Sequence, residues 1–121
     1  MKRFSPARAA AIDKIKYFYI RAGEHQFIPI WVVVVDGRVL VRPWNDEPGG
    51  WYRVFLKNPR GAIKIGDTEV PVRALRVRSA KLIDAMDRAY GEKYTTKANE
   101  KYVKGFATAK RKATTTELVP A

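Results

Sequence analysis

The residues best suited to chemistry in this chain of 121 residues lie between Arg42 and Lys64. A loop containing Gly49 and Gly50 leads into a predicted short helix that begins at Trp51. Adjacent glycines let a ligand approach the backbone closely, and the free N–H groups at a helix start favour an anion. The stretch therefore predicts a site for an anionic group.

Cationic and aromatic side chains accompany this loop. The flat rings of Trp44 and Trp51 can stack on a ring system, and positive charge comes from Arg42, Arg53, Lys57, Arg60 and Lys64. Glycine, basic and aromatic residues together suit a phosphate-bearing, flavin-like cofactor. The competing interpretation is that the helix-spaced rings pack in the core and the basic residues cover a solvated surface. The predicted cofactor-binding residues are Arg42, Trp44, Gly49, Gly50, Trp51, Arg53, Lys57 and Arg60.

Other kinds of site have little support. The chain has no cysteine and a single histidine, His25, which argues against disulfides, zinc ribbons and multi-histidine metal sites and leaves a Ser-His-Asp triad little support. Asp84 and Asp87 are predicted to lie on a solvated helix face rather than to form an acid pair. Nothing resembles a P-loop, a dinucleotide fingerprint or an EF-hand. No metal is predicted, and no catalytic residue is named.

The balance of charge leaves three interpretations open. The chain has 24 Lys and Arg against 12 Asp and Glu, a net charge of +12, which suits a nucleic acid, an anionic small molecule or simply a well-solvated surface. The charge is spread evenly along the chain, and no RNA-binding string is present, so nucleic acid is the less favoured partner. The longest apolar run, Ile28 to Val35, is far shorter than the roughly 20 residues of a membrane helix. With no secretory signal at the start, we expect a soluble, cytoplasmic protein that does not contact membranes.

The strands that must position the candidate site are predicted from two hairpins. Asp36-Gly37 lies between two β-branched runs, which is typical of a type I′ turn, with the run from residue 30 to residue 35 as one central strand. A second hairpin turns at Gly66-Asp67, and a last strand is predicted over about residues 114–119.

Helices are predicted at about residues 6–14 and 51–57 and within about 79–110. Ser5-Pro6 and Ser79 are suited to helix starts, Gly91 to a helix end, and Asn99 to the start of another short helix. With six strands joined as antiparallel hairpins, the fold class is mainly β with α (α+β). The architecture is a small β-barrel with flanking short helices, formed as a single domain over residues 1–121.

The order and spacing of these motifs resemble one known superfamily. The motifs read in order as Asp36-Gly37-Arg38-Val39-Leu40-Val41, Trp51-Tyr52-Arg53, Leu56-Lys57-Asn58-Pro59, Ala89-Tyr90-Gly91-Glu92-Lys93-Tyr94 and Thr115-Thr116-Glu117-Leu118-Val119-Pro120. They are similar to the FMN-binding split-barrel superfamily, which includes pyridoxamine 5′-phosphate oxidase-like and deazaflavin-dependent nitroreductase-like proteins. Within it, they resemble a small bacterial family of unknown function. The resemblance covers about residues 28–121.

The resemblance implies a six-stranded antiparallel split β-barrel that forms a homodimer and binds FMN or a deazaflavin at the dimer interface. It implies that Arg42, Trp51, Arg53 and Lys57 hold the cofactor phosphate, and that an enzyme of this kind is a flavin-dependent oxidoreductase of the nitroreductase type. Two alternatives stay open: a barrel of this kind without a cofactor, and a basic nucleic-acid-binding module.

Overall fold

The computed structural model describes residues 3–121, except for the side chain of Tyr17. Met1 and Lys2, part of the segment in which no secretory signal is predicted, lie outside the described residues. The elements of the described part are, in chain order, α1 (Pro6–Asp13), β1 (Tyr17–Ala22), β2 (Ile28–Trp31), β3 (Val33–Val35), β4 (Arg38–Val41), α2 (Trp51–Lys57), β5 (Arg60–Ile65), β6 (Thr68–Arg76), α3 (Ala80–Lys93), a 3-10 turn (Lys97–Asn99), α4 (Glu100–Phe106), α5 (Ala109–Lys112) and β7 (Thr116–Pro120).

The seven strands of this part form one antiparallel sheet in the order β2-β1-β5-β6-β7-β4-β3. The two ends of that order, β2 and β3, are separated in the chain only by Val32, so the sheet returns on itself as a nearly closed barrel. The α+β class and the antiparallel barrel are as predicted. The predicted count of six strands is wrong, because the expected single strand over residues 30–35 is interrupted at Val32. Its two halves lie at opposite ends of the sheet rather than at the centre.

Side chains from the end of α3 complete the barrel at this break. The Tyr94 hydroxyl accepts the Val32 N–H at 3.0 Å and donates to the Lys16 carbonyl, while the Lys93 ammonium donates to the Val32 carbonyl at 2.7 Å. Buried backbone groups need such partners where a strand ladder stops. The predicted helix end at Gly91 is therefore wrong: α3 continues to Lys93 and positions both side chains.

The local signals for the first turn and for the starts of α1, α2 and α3 are confirmed. Asn99 directly precedes α4 as predicted, but its side chain makes no capping hydrogen bond, and the Thr96 hydroxyl accepts the Asn99 N–H instead. Asp36 and Gly37 have φ values of 51° and 76°, the pair of positive angles that a type I′ turn requires. The Ser5 hydroxyl accepts the Arg8 N–H, and the Ser79 hydroxyl does the same for the N–H of the third residue after it, each at 3.2 Å. Helix α2 has the predicted bounds, and its Trp51, Tyr52 and Phe55 side chains are buried in the barrel core.

The hydrophobic core lies on both faces of the sheet. Alternation along β4 sends Val39 and Val41 to the enclosed face, where α1 and α2 also pack, and sends Leu40 to the opposite face. On that opposite face, α3 and α4 cover the β3–β4 hairpin with Met86 and Phe106. The outer helices are thus fixed against the part of the barrel next to the break at Val32.

Candidate ligand-binding site

A cleft opens where the arms of the first hairpin separate. Val33 pairs with Leu40, and the same register would place Trp31 opposite Arg42, but β2 and the chain after β4 diverge there. The space between them measures about 320 Å³, within the range of small-molecule pockets. We call it the split cleft. It is lined by residues 29–31 of β2, by Arg42 and Trp44 after β4, and by Asn99, Tyr102 and Phe106 at α4.

Aromatic rings form the walls of the split cleft. The Trp44 ring lies edge-on to Tyr102 and Phe106, with centroids 5.0 and 5.1 Å away, and the Trp31 ring lies 6.0 and 5.7 Å from the same two rings. Tyr102 and Phe106 are four residues apart and so share one side of α4. Trp44 is 36% exposed and Tyr102 is 37% exposed, so a planar ligand can reach rings on which it would stack.

The position of Trp44 is fixed from two sides. The Arg111 guanidinium lies 3.7 Å from the centroid of the indole ring, and its Nε donates to the Trp44 carbonyl at 2.9 Å. On α4, a Cβ atom at Gly105 would lie 2.4 Å from Cη2 of the same ring. Only glycine lets the indole approach the helix this closely. The aromatic wall is therefore held in place before any ligand binds.

Arg42 forms the polar floor of the split cleft and is 1% exposed. Its Nε donates to the Thr115 hydroxyl at 2.7 Å, and its Nη1 donates to Asp87 at 2.5 Å and to the Phe106 carbonyl at 3.1 Å. Its Nη2 donates to the Ile83 carbonyl at 3.0 Å. Hydrogen bonding of this extent offsets the cost of burying the charge. Arg42 ties the end of β4 to α3, α4 and the segment before β7.

The environment of Asp87 differs from the solvated helix face that the sequence predicts for it. It is partly buried and shared between Arg42 and Lys112, whose ammonium lies 3.1 Å from Asp87 and 3.3 Å from the exposed Asp84. Hydrogen bonds and attraction from the two carboxylates raise the pKa of Lys112. Asp87 thus anchors the buried guanidinium, whereas Asp84 lies on the solvated helix face that the sequence predicts for both.

Tyr90 packs directly behind this floor. Its ring stacks on Phe106 with centroids 4.8 Å apart, and burial raises the pKa of its hydroxyl well above the ordinary value. Within residues 3–121, the hydroxyl has no hydrogen-bond partner. Tyr90 stays protonated and supports the wall of the cleft.

The structure divides the eight predicted cofactor-binding residues. Arg42 and Trp44 line the split cleft, whereas Gly49, Gly50 and Trp51 line a separate pocket of about 370 Å³ on the other side of the loop. Residues of β2 border both pockets. The loop over residues 43–50 therefore borders both of these pockets instead of enclosing one site.

The residues of the second pocket serve the fold as well. A Cβ atom at Gly50 would lie 3.2 Å from the Glu47 carbonyl, so glycine here permits the tight turn into α2. Trp51 is 8% exposed and packs edge-on against Tyr52 and Phe55.

The remaining three predicted residues lie outside both pockets. Arg53 makes two hydrogen bonds of 2.7 Å to Asp46, and this contact raises the pKa of Arg53. Lys57 is exposed in the last turn of α2, and Arg60 is exposed at the start of β5. The predicted cations thus do not converge on one anion.

Sequence reasoning missed six cleft residues: Pro29, Ile30, Trp31, Asn99, Tyr102 and Phe106. The spacing of Tyr102 and Phe106 marks a helix face, but that pattern is equally typical of core packing. No local signal indicates that α4 lies over the diverging hairpin arms.

Neither a metal-binding cluster nor a membrane-spanning helix is found among residues 3–121. The described residues contain no group of three or more His, Cys, Asp or Glu side chains arranged to hold a metal ion. None of the helices in this part of the chain is long and apolar enough to cross a membrane.

The fold is similar to that of the conserved hypothetical protein Rv2991 from Mycobacterium tuberculosis, known from a crystal structure. The two superpose with a TM-score of 0.60 at 16% sequence identity, over 99% of this chain and 81% of the other. At that identity, the likeness shows the fold alone. No curated protein matches the chain. A family model described as "Uncharacterized protein conserved in bacteria (DUF2255)" matches residues 9–118, and the chain therefore belongs to this bacterial family.

Proposed function

We propose that the split cleft binds a planar aromatic small molecule, with the flavin or deazaflavin ring as the first candidate. The observation that carries the proposal is the set of four rings, from Trp31, Trp44, Tyr102 and Phe106, around a cleft of about 320 Å³. Apolar walls with few polar groups are typical of small-molecule sites. A planar ring system in the cleft would stack on the exposed rings of Trp44 and Tyr102.

One side chain in the lining supplies polar contacts for the edge of such a ring. Asn99 contributes an amide, which both donates and accepts hydrogen bonds. The Arg42 guanidinium lies beneath the floor, where its side chain is 0% exposed and four of its five N–H donors go to described protein groups. Its positive charge at this position favours the carbonyl-rich edge of a flavin or deazaflavin ring. A bound ring of this class would supply hydride transfer, and the chain would hold, orient and shield it.

The phosphate of FMN is not accommodated by the residues that the resemblance implies. Arg42 is committed to Asp87 and backbone carbonyls, Arg53 is paired with Asp46, and Lys57 lies away from the cleft. A cation near the cleft is Lys101, whose ammonium lies 5.1 Å from the ring centroid of the cleft residue Tyr102. We therefore propose recognition through the ring, with a phosphate left at the exposed rim.

The proposal is tested by titrating the protein with riboflavin, FMN and a deazaflavin and then desalting to find which absorbance is retained. The Trp44→Ala variant is expected to weaken ring binding about tenfold or more, the usual loss when a stacking aromatic is removed. Leu56→Ala is the matched control, since Leu56 is an exposed apolar residue on α2 outside the cleft. Equal binding by both variants and the wild type would overturn the assignment of the cleft.

A further inference from the structure

One outer face of the sheet brings basic and aromatic side chains together. Residues paired across antiparallel strands project to the same side. Tyr19 of β1 is paired with Lys64 of β5, and Arg60 of β5 is paired with Arg73 of β6. Arg21 projects from β1 on the same side as Tyr19. With the neighbouring Phe27, these residues define what we call the basic face: Tyr19, Arg21, Phe27, Arg60, Lys64 and Arg73.

Charge on the basic face is unbalanced. Glu69 of β6 is paired with Lys64 and so lies on the same face, and its Oε2 is 3.5 Å from Nη2 of Arg21. Arg60 and Arg73 lie directly opposite each other, both are exposed, and neither has an ion-pair partner in the described part of the chain. Like charges in this position destabilise a sheet. Unfavourable local arrangements such as this pair of arginines are expected at functional sites. An anionic partner would offset the repulsion between Arg60 and Arg73.

Aromatic groups on the same face give it a second chemical character. The Phe27 ring has the Arg21 guanidinium 4.5 Å from its centroid and the Lys64 ammonium at 5.1 Å. Tyr19 is 46% exposed between Lys64 and Pro29. An exposed ring beside several cations is the arrangement on which bases stack while phosphates are neutralised.

We propose that the basic face binds single-stranded nucleic acid, with phosphates at Arg60 and Arg73 and a base stacked on Tyr19. A duplex fits less well, because its bases are already stacked and cannot reach Tyr19. A second copy of the chain fits less well too, because a symmetric contact would bring the same arginines against each other. None of the six residues of the basic face lines the split cleft, so this proposal does not depend on the proposed ligand.

The test measures fluorescence anisotropy of labelled oligothymidylate and oligouridylate with the full chain at several salt concentrations. In Arg60→Gln/Arg73→Gln, we expect weaker binding and a salt slope that falls by about 0.7 for each phosphate that is no longer neutralised. Tyr19→Ala is expected to weaken binding about tenfold, the order typical of removing one stacking ring. The matched control is Arg8→Gln/Arg88→Gln, which removes two exposed helix arginines and the same charge.

Three results would overturn the proposal. The first is an equal loss of affinity in the two double variants, which would mean that only net charge matters. The second is tighter binding to a duplex, or to phosphatidylserine vesicles, than to either single strand. The third is a dimer in sedimentation velocity that Arg60→Gln/Arg73→Gln changes and an excess of oligonucleotide does not, since that would assign the face to a second copy. Thermal melts of all variants confirm that each is folded, as the exposure of the substituted side chains leads us to expect.

Discussion

The indole ring of Trp44 lies against the bare Cα of Gly105, so that a Cβ atom there would come within 2.4 Å of Cη2. Arg111 holds the ring from the other side at 3.7 Å. The indole is therefore held between α4 and the Arg111 guanidinium, while its remaining surface stays open to the cleft and to solvent. This contact joins the loop after β4 to α4 and sets the width of the split cleft.

Gly105→Ala is accordingly expected to destabilise the protein by about 1–3 kcal/mol, the usual cost of overpacking. The gain in helix propensity from alanine is smaller than this clash. Urea unfolding measures the change in the free energy of unfolding. Gly91→Ala is the matched control, because its nearest neighbour, a methyl group of Val103, lies at 3.9 Å. That variant should gain about 0.5–1 kcal/mol, and equal effects of the two substitutions would contradict the packing described for Trp44.

Arg42 is expected to contribute chiefly to the stability of the fold rather than to ligand binding. Arg42→Met removes one partner of a buried ion pair and takes the donor away from the Thr115 hydroxyl and the Phe106 carbonyl, so a loss of about 3–5 kcal/mol is expected. Arg53→Met breaks an exposed pair with Asp46 and should change the free energy of unfolding little. Similar losses in both variants would show that the buried network is not what stabilises this region.

The Tyr94 hydroxyl is expected to stabilise the break between β2 and β3. Tyr94→Phe leaves the Val32 N–H without its acceptor and the Lys16 carbonyl without its donor, at a cost of about 1–3 kcal/mol. Tyr102→Phe is the control, because this hydroxyl belongs to an exposed residue and its loss should be nearly neutral. Amide hydrogen exchange at Val32 should accelerate in Tyr94→Phe alone, and unchanged exchange there would argue against the role of the hydroxyl.

The lowered pKa of Lys93 is expected to make the stability of the protein depend on pH. Partial burial lowers the pKa of its ammonium from 10.5 to about 8 in the folded protein, with nearby Lys16 adding to the effect. Between these two pH values, the unfolded chain binds more protons at Lys93 than the folded chain, so the contribution of Lys93 to stability rises with pH. The free energy of unfolding of the wild type, relative to Lys93→Met, should increase from pH 8 to about pH 10.5. Urea unfolding at several pH values checks this, and parallel curves for the two proteins would contradict it.

Much of the fold is predictable because its signals are local. The Asp36-Gly37 turn, the serine caps of α1 and α3 and the bounds of α2 each depend on a few neighbouring residues. The break at Val32 is not predictable in this way, since its partner Tyr94 lies 62 residues away.

The residues of the candidate site are likewise predictable only where their signal is local. Trp44 is identifiable from the sequence because a large ring in a polar loop has little core to join, whereas Tyr102 and Phe106 carry a pattern that core helices share. The position of α4 over the hairpin arms decides the difference, and it depends on the buried contacts of Arg42 with α3 and α4. The basic residues and glycines predict an anion site at the start of α2. In the structure, Arg53 there forms an ion pair with Asp46 instead.

The most direct test of the split cleft uses the three tryptophans of the chain as reporters. Trp31 and Trp44 lie in the cleft, whereas Trp51 lies in the second pocket. Indole N–H signals in nitrogen-15 spectra, assigned with Trp→Phe variants, are followed during titration with riboflavin. We expect the signals of Trp31 and Trp44 to shift together while that of Trp51 stays in place. A shift confined to Trp51, or no shift in any of the three, would contradict a ring-binding site at the split of the barrel.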